Sequence, residues 1–108
     1  MAAKPIHWVG SALDDVRAFG AEARQQTGYQ LYRVQNGMMP TDWKPMSIVG
    51  RGVHEIRIRV GREYRVLYLA ARREAVYVLH AFEKKTQKTR TADIELAKER
   101  LALVPRVR

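Results

Sequence analysis

Residues 55–70 read Glu55-Ile56-Arg57-Ile58-Arg59-Val60-Gly61-Arg62-Glu63-Tyr64-Arg65-Val66-Leu67-Tyr68-Leu69-Ala70, and they decide the fold. Ile56, Ile58 and Val60 alternate with Glu55, Arg57 and Arg59. A period of two puts the apolar set on one face of a strand and the charged set on the other. Gly61-Arg62-Glu63 reads as a turn, and Tyr64 to Ala70 as a second strand with Arg65 among apolar residues. Arg72-Arg73-Glu74 makes another turn. Ala75 to Phe82 is a nearly unbroken apolar run of β-formers, as expected of a central strand. Connections this short join antiparallel neighbours, so the three strands form a meander.

Outward from the meander the period changes. Ile6 to Val9 is a short strand that would pair at the sheet edge. Ser11 then reads as a helix N-cap, with Asp14 and Asp15 in the first turn, where carboxylates suit the helix dipole. Leu13, Val16 and Phe19 recur at helical spacing, and Gly20 interrupts. Ala23, Thr27, Leu31, Val34 and Met38 make a second stripe, stopped at Asn36-Gly37. Residues 11–35 are therefore two helices, a hairpin lying on one face of the sheet. Met39 to Gly52, with two prolines and two glycines, reads as a loop in which Trp43 lays its ring over the core edge. Thr91 caps a last helix whose stripe is Ile94, Ala97, Leu101 and Val104, ended by Pro105. The order β-α-α-β-β-β-α with a small antiparallel sheet is an α+β domain, one domain over residues 1–108.

Composition bounds what such a domain does. At 108 residues the chain suits a single core, burying roughly two-thirds of its unfolded surface. No apolar run approaches the roughly 20 residues that span a bilayer, and no membrane role is expected. The absence of Cys excludes a disulfide framework, a thiolate metal site and a Cys nucleophile. Met1-Ala2-Ala3-Lys4 leads to a segment too polar for an export signal, so a cytoplasmic protein is expected. Lys and Arg exceed Asp and Glu by 20 to 11, a net charge of +9. Residues 1–50 carry only +1 of it, whereas residues 51–108 carry +8. Such a patch attracts a polyanion, and an acidic protein partner would also suit it. His7, His54 and His80 have no metal-ligand spacing with carboxylates, and Gly50-Arg51-Gly52 lacks the rest of a phosphate-binding loop. No cofactor or metal is expected.

Glu55-Ile56-Arg57-Ile58-Arg59, Tyr64-Arg65-Val66-Leu67-Tyr68 and Val76 to Thr86, ending Ala81-Phe82-Glu83-Lys84-Lys85-Thr86, together resemble the core of the RelE/ParE toxin superfamily, nearest its phage-derived, HigB-like branch. Trp43-Lys44-Pro45-Met46 and Asp93-Ile94-Glu95-Leu96-Ala97 resemble that branch too. The resemblance implies a RelE-like fold and the toxin of a type II toxin–antitoxin pair. Members commonly cut mRNA in the ribosomal decoding site, while a related branch inhibits DNA gyrase. It implies a helix-turn-helix antitoxin as partner, with operator DNA reached only through that complex. A non-toxic, phage-derived binding protein is the remaining alternative.

Metal-free RNA cleavage needs a base for the 2′-OH, an acid for the 5′-oxygen, and cations for the phosphorane. In this light Arg57, Arg65 and Lys84 are candidate phosphate-stabilising residues, and Arg59, Lys85, Lys88 and Arg90 candidate RNA-binding residues. Each also has a plain reading. Arg57 suits a solvated sheet face, Arg65 a buried pair with Glu55 or Glu63, and Lys84-Lys85 a solvated run. His80 is the acid–base candidate by type, although alternation puts it on a face with Val76, Val78 and Phe82. His54 and Glu55 are the alternative bases. Some superfamily nucleases end in a His-Tyr or Arg-Tyr pair, where this chain reads Lys84-Lys85-Thr86-Gln87-Lys88.

Overall fold

The computed structural model describes residues 3–106; Met1 and Ala2, part of the segment read for an export signal, lie outside it. Along the chain run β1 (Ile6–Trp8), α1 (Ala12–Arg17), α2 (Ala21–Gln35), β2 (Trp43–Pro45), β3 (Val53–Val60), β4 (Arg62–Leu69), β5 (Val76–Glu83) and α3 (Thr91–Leu101). The meander is as the alternation dictates: β3, β4 and β5 are successive antiparallel neighbours. The turn between β3 and β4 is so tight that Val60 pairs with Arg62 across Gly61, whose φ of +71° favours glycine.

The five strands lie in the order β1-β5-β4-β3-β2. On one face α1 and α2 bury Val16, Phe19, Ala23, Leu31 and Val34 against Ile56, Ile58, Val66 and Val78. On the other, α3 brings Ala97 and its neighbours Ile94 and Leu101 against Val53, Leu67, Leu69, Tyr77 and Leu79. The fold is thus α+β with a helical hairpin on one face, and α3 covers part of the second. Among the described residues no helix is long and apolar enough to cross a membrane.

The structure departs from the sequence reading in four places. First, β1 does sit at the edge, but it pairs with β5 in parallel, so the sheet is mixed. The two helices carry the chain away from β1, and three antiparallel strands then bring β5 back in the same direction. Second, the loop before β3 contains a strand. Trp43, Lys44 and Pro45 pair with Ile56, Glu55 and His54, an edge position where a proline's missing N–H is tolerated. Third, Leu67 pairs with His80 while Tyr68 pairs with Val78, leaving Leu79 as an extra residue in β5. This bulge breaks the alternation. His80 therefore lies opposite Leu67 and meets Asp93 of α3, instead of sharing a face with Val76 and Val78. Fourth, Ser11 does hold the N-cap position of α1, but neither expected capping side chain makes its bond. Ser11 makes no capping bond, because its Oγ accepts from Arg100 Nη2 at 2.6 Å. Thr91 is the first helical residue, and Arg90 holds the cap position.

That Arg100 ties α3 to the start of α1. Its Nη1 donates to the Leu79 carbonyl at 2.9 Å and faces Asp15 at 3.4 Å. Gly10, at φ +58°, makes room for it: a Cβ there would fall 2.8 Å from Arg100 Nε.

Candidate functional site

α3 packs chiefly on β5, so the β3–β4 hairpin keeps part of that sheet face for itself. The charged residues of the alternating stretch emerge here. Arg57 lies directly opposite Arg65, and Arg59 opposite Glu63. Two arginines facing each other across a ladder repel, so the pairing needs nearby anions. Glu55 supplies one. It is only 1% exposed, and its Oε1 lies 3.5 Å from Arg65 Nε, 3.6 Å from Arg57 Nε and 3.9 Å from Lys44 Nζ. Glu63 supplies another, with Oε1 3.3 Å from Arg65 Nη2 and 3.4 Å from Arg59 Nε. Asp42 faces Arg57 at 4.0 Å, and its carbonyl accepts from the Arg57 amide at 2.9 Å. Lys84 joins at the end of β5, its amide donating to the Glu63 carbonyl at 2.7 Å. The set holds the cations Lys44, Arg57, Arg59, Arg65 and Lys84 and the carboxylates Asp42, Glu55 and Glu63, a positive balance.

Burial sorts these groups into two tiers. Arg65 is 3% exposed and is further held by donation to its neighbour's carbonyl, that of Tyr64, at 3.1 Å. With Glu55 it forms a buried floor. Above it, side-chain exposure is 29% for Arg57, 62% for Arg59 and 48% for Glu63. The contacts of Glu55 are longer than good charge-assisted hydrogen bonds. Accordingly Glu55 Oε2, Arg57 Nε and Arg65 Nε are buried atoms without a hydrogen-bond partner among the described residues. Hydrogen bonding from Arg65, reinforced by its charge, holds the Glu63 carboxyl below the usual range, so Glu63 is ionised at neutral pH. Such a face offers anion-binding donors on a rigid hairpin, with Arg57 the one that joins floor and surface.

The remaining sequence candidates fall elsewhere. Lys85, Lys88 and Arg90 are exposed on the segment between β5 and α3. His80 is 5% exposed and spans three elements: Nε2 meets Asp93 Oδ1 of α3 at 2.8 Å, and Nδ1 lies 3.7 Å from Asp15 of α1. Its ring stacks on Phe82, which pairs with Arg65. Arg90 in turn contacts Asp93 at 3.3 Å. His54 points to the helical-hairpin side, its ring 4.6 Å from that of Trp43 and tilted against it, and set edge-on to Tyr68. Burial lowers the His54 pKa and raises that of Tyr68 to about 12.

The sequence carries no local signal for Lys44 and Asp42 as members of the cluster, because the pairing of the short strand β2, which holds Lys44 and follows Asp42, brings them there. The Asp15–His80–Asp93 set with Arg100 was not anticipated either. The spacing of Asp93, Ala97 and Arg100 on one helical stripe was the available signal.

A search of curated proteins returned no match for this chain. A family model, however, matches residues 14–102, from the first helix through the cluster and α3, under the description "Phage derived protein Gp49-like (DUF891)". With most of its length so matched, the chain belongs to the phage-derived Gp49-like family.

Proposed function

We propose that this protein is the toxin of a type II toxin–antitoxin pair and acts as an mRNA endonuclease on the ribosome, without a metal. The observation that carries the reading is the pairing of Arg57 with Arg65 on an open sheet face, fixed from below by the buried Glu55. Membership of a phage-derived family and the resemblance to the RelE/HigB toxins are consistent with it. In this reading Arg57, with Arg59 and Lys84 beside it, holds the scissile phosphate and stabilises the charge that develops on the phosphorane. Water protonates the departing 5′-oxygen, and Glu63, an exposed carboxylate close to Arg59 and Lys84, accepts the 2′-OH proton. Its low pKa makes it a modest base, so most of the rate comes from electrostatics and from the orientation the ribosome imposes. Arg65 and Glu55 are positioning residues, because their burial keeps them from direct contact. Lys85, Lys88 and Arg90 extend the basic track along the RNA. A cognate helix-turn-helix antitoxin neutralises the protein, and operator DNA is bound only through that complex.

Induced expression tests this reading. The expected result is growth arrest with new mRNA 5′ ends inside translated codons, abolished in Arg57→Ala. Arrest with intact transcripts would overturn it, and double-strand DNA breaks in that case would move the protein to the gyrase-inhibiting class. Harmless expression with tight binding of the neighbouring gene product would point to a non-toxic binding protein.

A further inference from the structure

On the sheet face opposite the charged cluster lies a cavity of about 340 Å³, between the C-terminal end of α2 and the far ends of β3 and β4. Its walls are mainly apolar, including Val34, Ala70 and Ala71. Met38 and Met39, each 42% exposed, form its mouth with flexible thioethers that adapt to a guest. The volume is more than twice the roughly 150 Å³ that encloses a benzene. A ring with a short arm therefore fits.

Three polar groups line this space. Tyr68 is 1% exposed and keeps its proton, its pKa being raised to about 12. Its hydroxyl meets His54 Nδ1 only at 3.4 Å, a long contact that leaves donor capacity. Lys4 Nζ donates to the carbonyls of Ala70 at 2.6 Å and Arg72 at 2.7 Å. An ammonium has three donors, so one remains. Among the described residues no carboxylate lines the cavity and Lys4 is its one fully charged residue, with Glu74 outside the lining but near enough to feel the Lys4 charge. The space is thus apolar in body and cationic at one wall.

We propose that this cavity is a binding site for a small monocarboxylic acid with an apolar, ring-sized body. The body fills the space between the two methionines and Tyr68, and the carboxylate takes the third Lys4 donor. The proposal is independent of the nuclease reading, since it uses no residue of the charged face.

The test is a titration with 3-phenylpropionate, followed by NMR on the methyl groups of Met38 and Met39 and on the His54 ring. Saturable shifts at these three residues are expected. The neutral isostere 3-phenylpropionamide should bind at least about tenfold more weakly, the scale of one charge-assisted bond. Ala71→Phe, a substitution at an exposed lining residue, should abolish the shifts. Lys4→Gln should remove the preference for acid over amide. The proposal is overturned by an absence of saturation at millimolar concentration, by equal binding of acid and amide to the unmodified protein, or by unchanged shifts in Ala71→Phe. The acid–amide comparison needs no mutation, so loss of the Lys4 tether cannot obscure it.

Discussion

Replacing Glu55 by Gln keeps the shape of the side chain and removes its charge, which isolates what the buried carboxylate does. Arg65 is then left 3% exposed without its buried counter-ion, and Arg57 faces it directly across the ladder. Breaking a buried ion pair by neutralising one partner costs about 3–5 kcal/mol. The lower end applies here. The Arg65–Glu55 contact is 3.5 Å rather than a short hydrogen bond, and Arg65 keeps the Tyr64 carbonyl at 3.1 Å and Glu63 at 3.3 Å. Exposed repulsion between the two arginines adds a few tenths of a kcal/mol, roughly. About 3 kcal/mol in total corresponds to a fall in Tm of about 12–20 °C for a domain of this size. Urea unfolding, followed by circular dichroism and by Trp8 and Trp43 fluorescence, measures it. A cycle with Arg65→Met should show the double variant less destabilised than additivity demands, with a coupling of about 2 kcal/mol. A Glu55→Gln protein within about 0.5 kcal/mol of the parent, or a coupling of zero, would refute the claim that this carboxylate holds the two arginines together.

Other outcomes follow from neighbouring features. His54 has a folded pKa below its ordinary 6.5 because burial disfavours the imidazolium. Its contribution is full above 6.5 and is lost as pH falls towards the lowered value, so stability should drop progressively below about pH 6.5. The pH dependence of Tm should be shallower in His54→Phe. His80→Ala removes the ring that joins Asp93 of α3 to Asp15 of α1. It should cost about 2–4 kcal/mol and raise hydrogen exchange first in α3. Arg57→Ala, at a half-exposed position, should leave stability within about 1 kcal/mol while lowering the slope of log K against log salt for RNA binding by about one. A slope unchanged from the parent would remove Arg57 from the phosphate contacts.

The parts of the fold that depend on local periodicity could be read from the sequence. Ile56, Ile58 and Val60 announced the buried face of β3, and Gly20 separated α1 from α2 because glycine weakens a helix interior. The misread parts depend on partners far away in the chain. The parallel pairing of Ile6–Trp8 with Val76–Val78 joins segments some 70 residues apart, and no local signal encodes strand direction. Strand Trp43–Pro45 forms only because β3 offers an edge, against the turn chemistry of Pro40 before it and Pro45 at its end. Leu79 looks like any apolar β-residue, so the bulge that redirects His80 was invisible. Ser11 has the composition of a cap, yet it serves Arg100 from 89 residues away. At the charged face the residue types were legible, Arg57 and Arg65 above all. Their burial was not: the sequence left open whether Arg65 was paired, and the structure places it between Glu55 and Glu63.

The assignment of the Arg57–Arg65 face to RNA cleavage is tested most directly with purified protein, translating ribosomes and an mRNA carrying a single 2′-deoxy nucleotide at the mapped cut. The account predicts cleavage of the all-ribose message in the presence of chelator, leaving a 2′,3′-cyclic phosphate, and no cleavage at the deoxy position. Cleavage that persists at the deoxy nucleotide, or a message left intact by protein that still arrests growth, would contradict it.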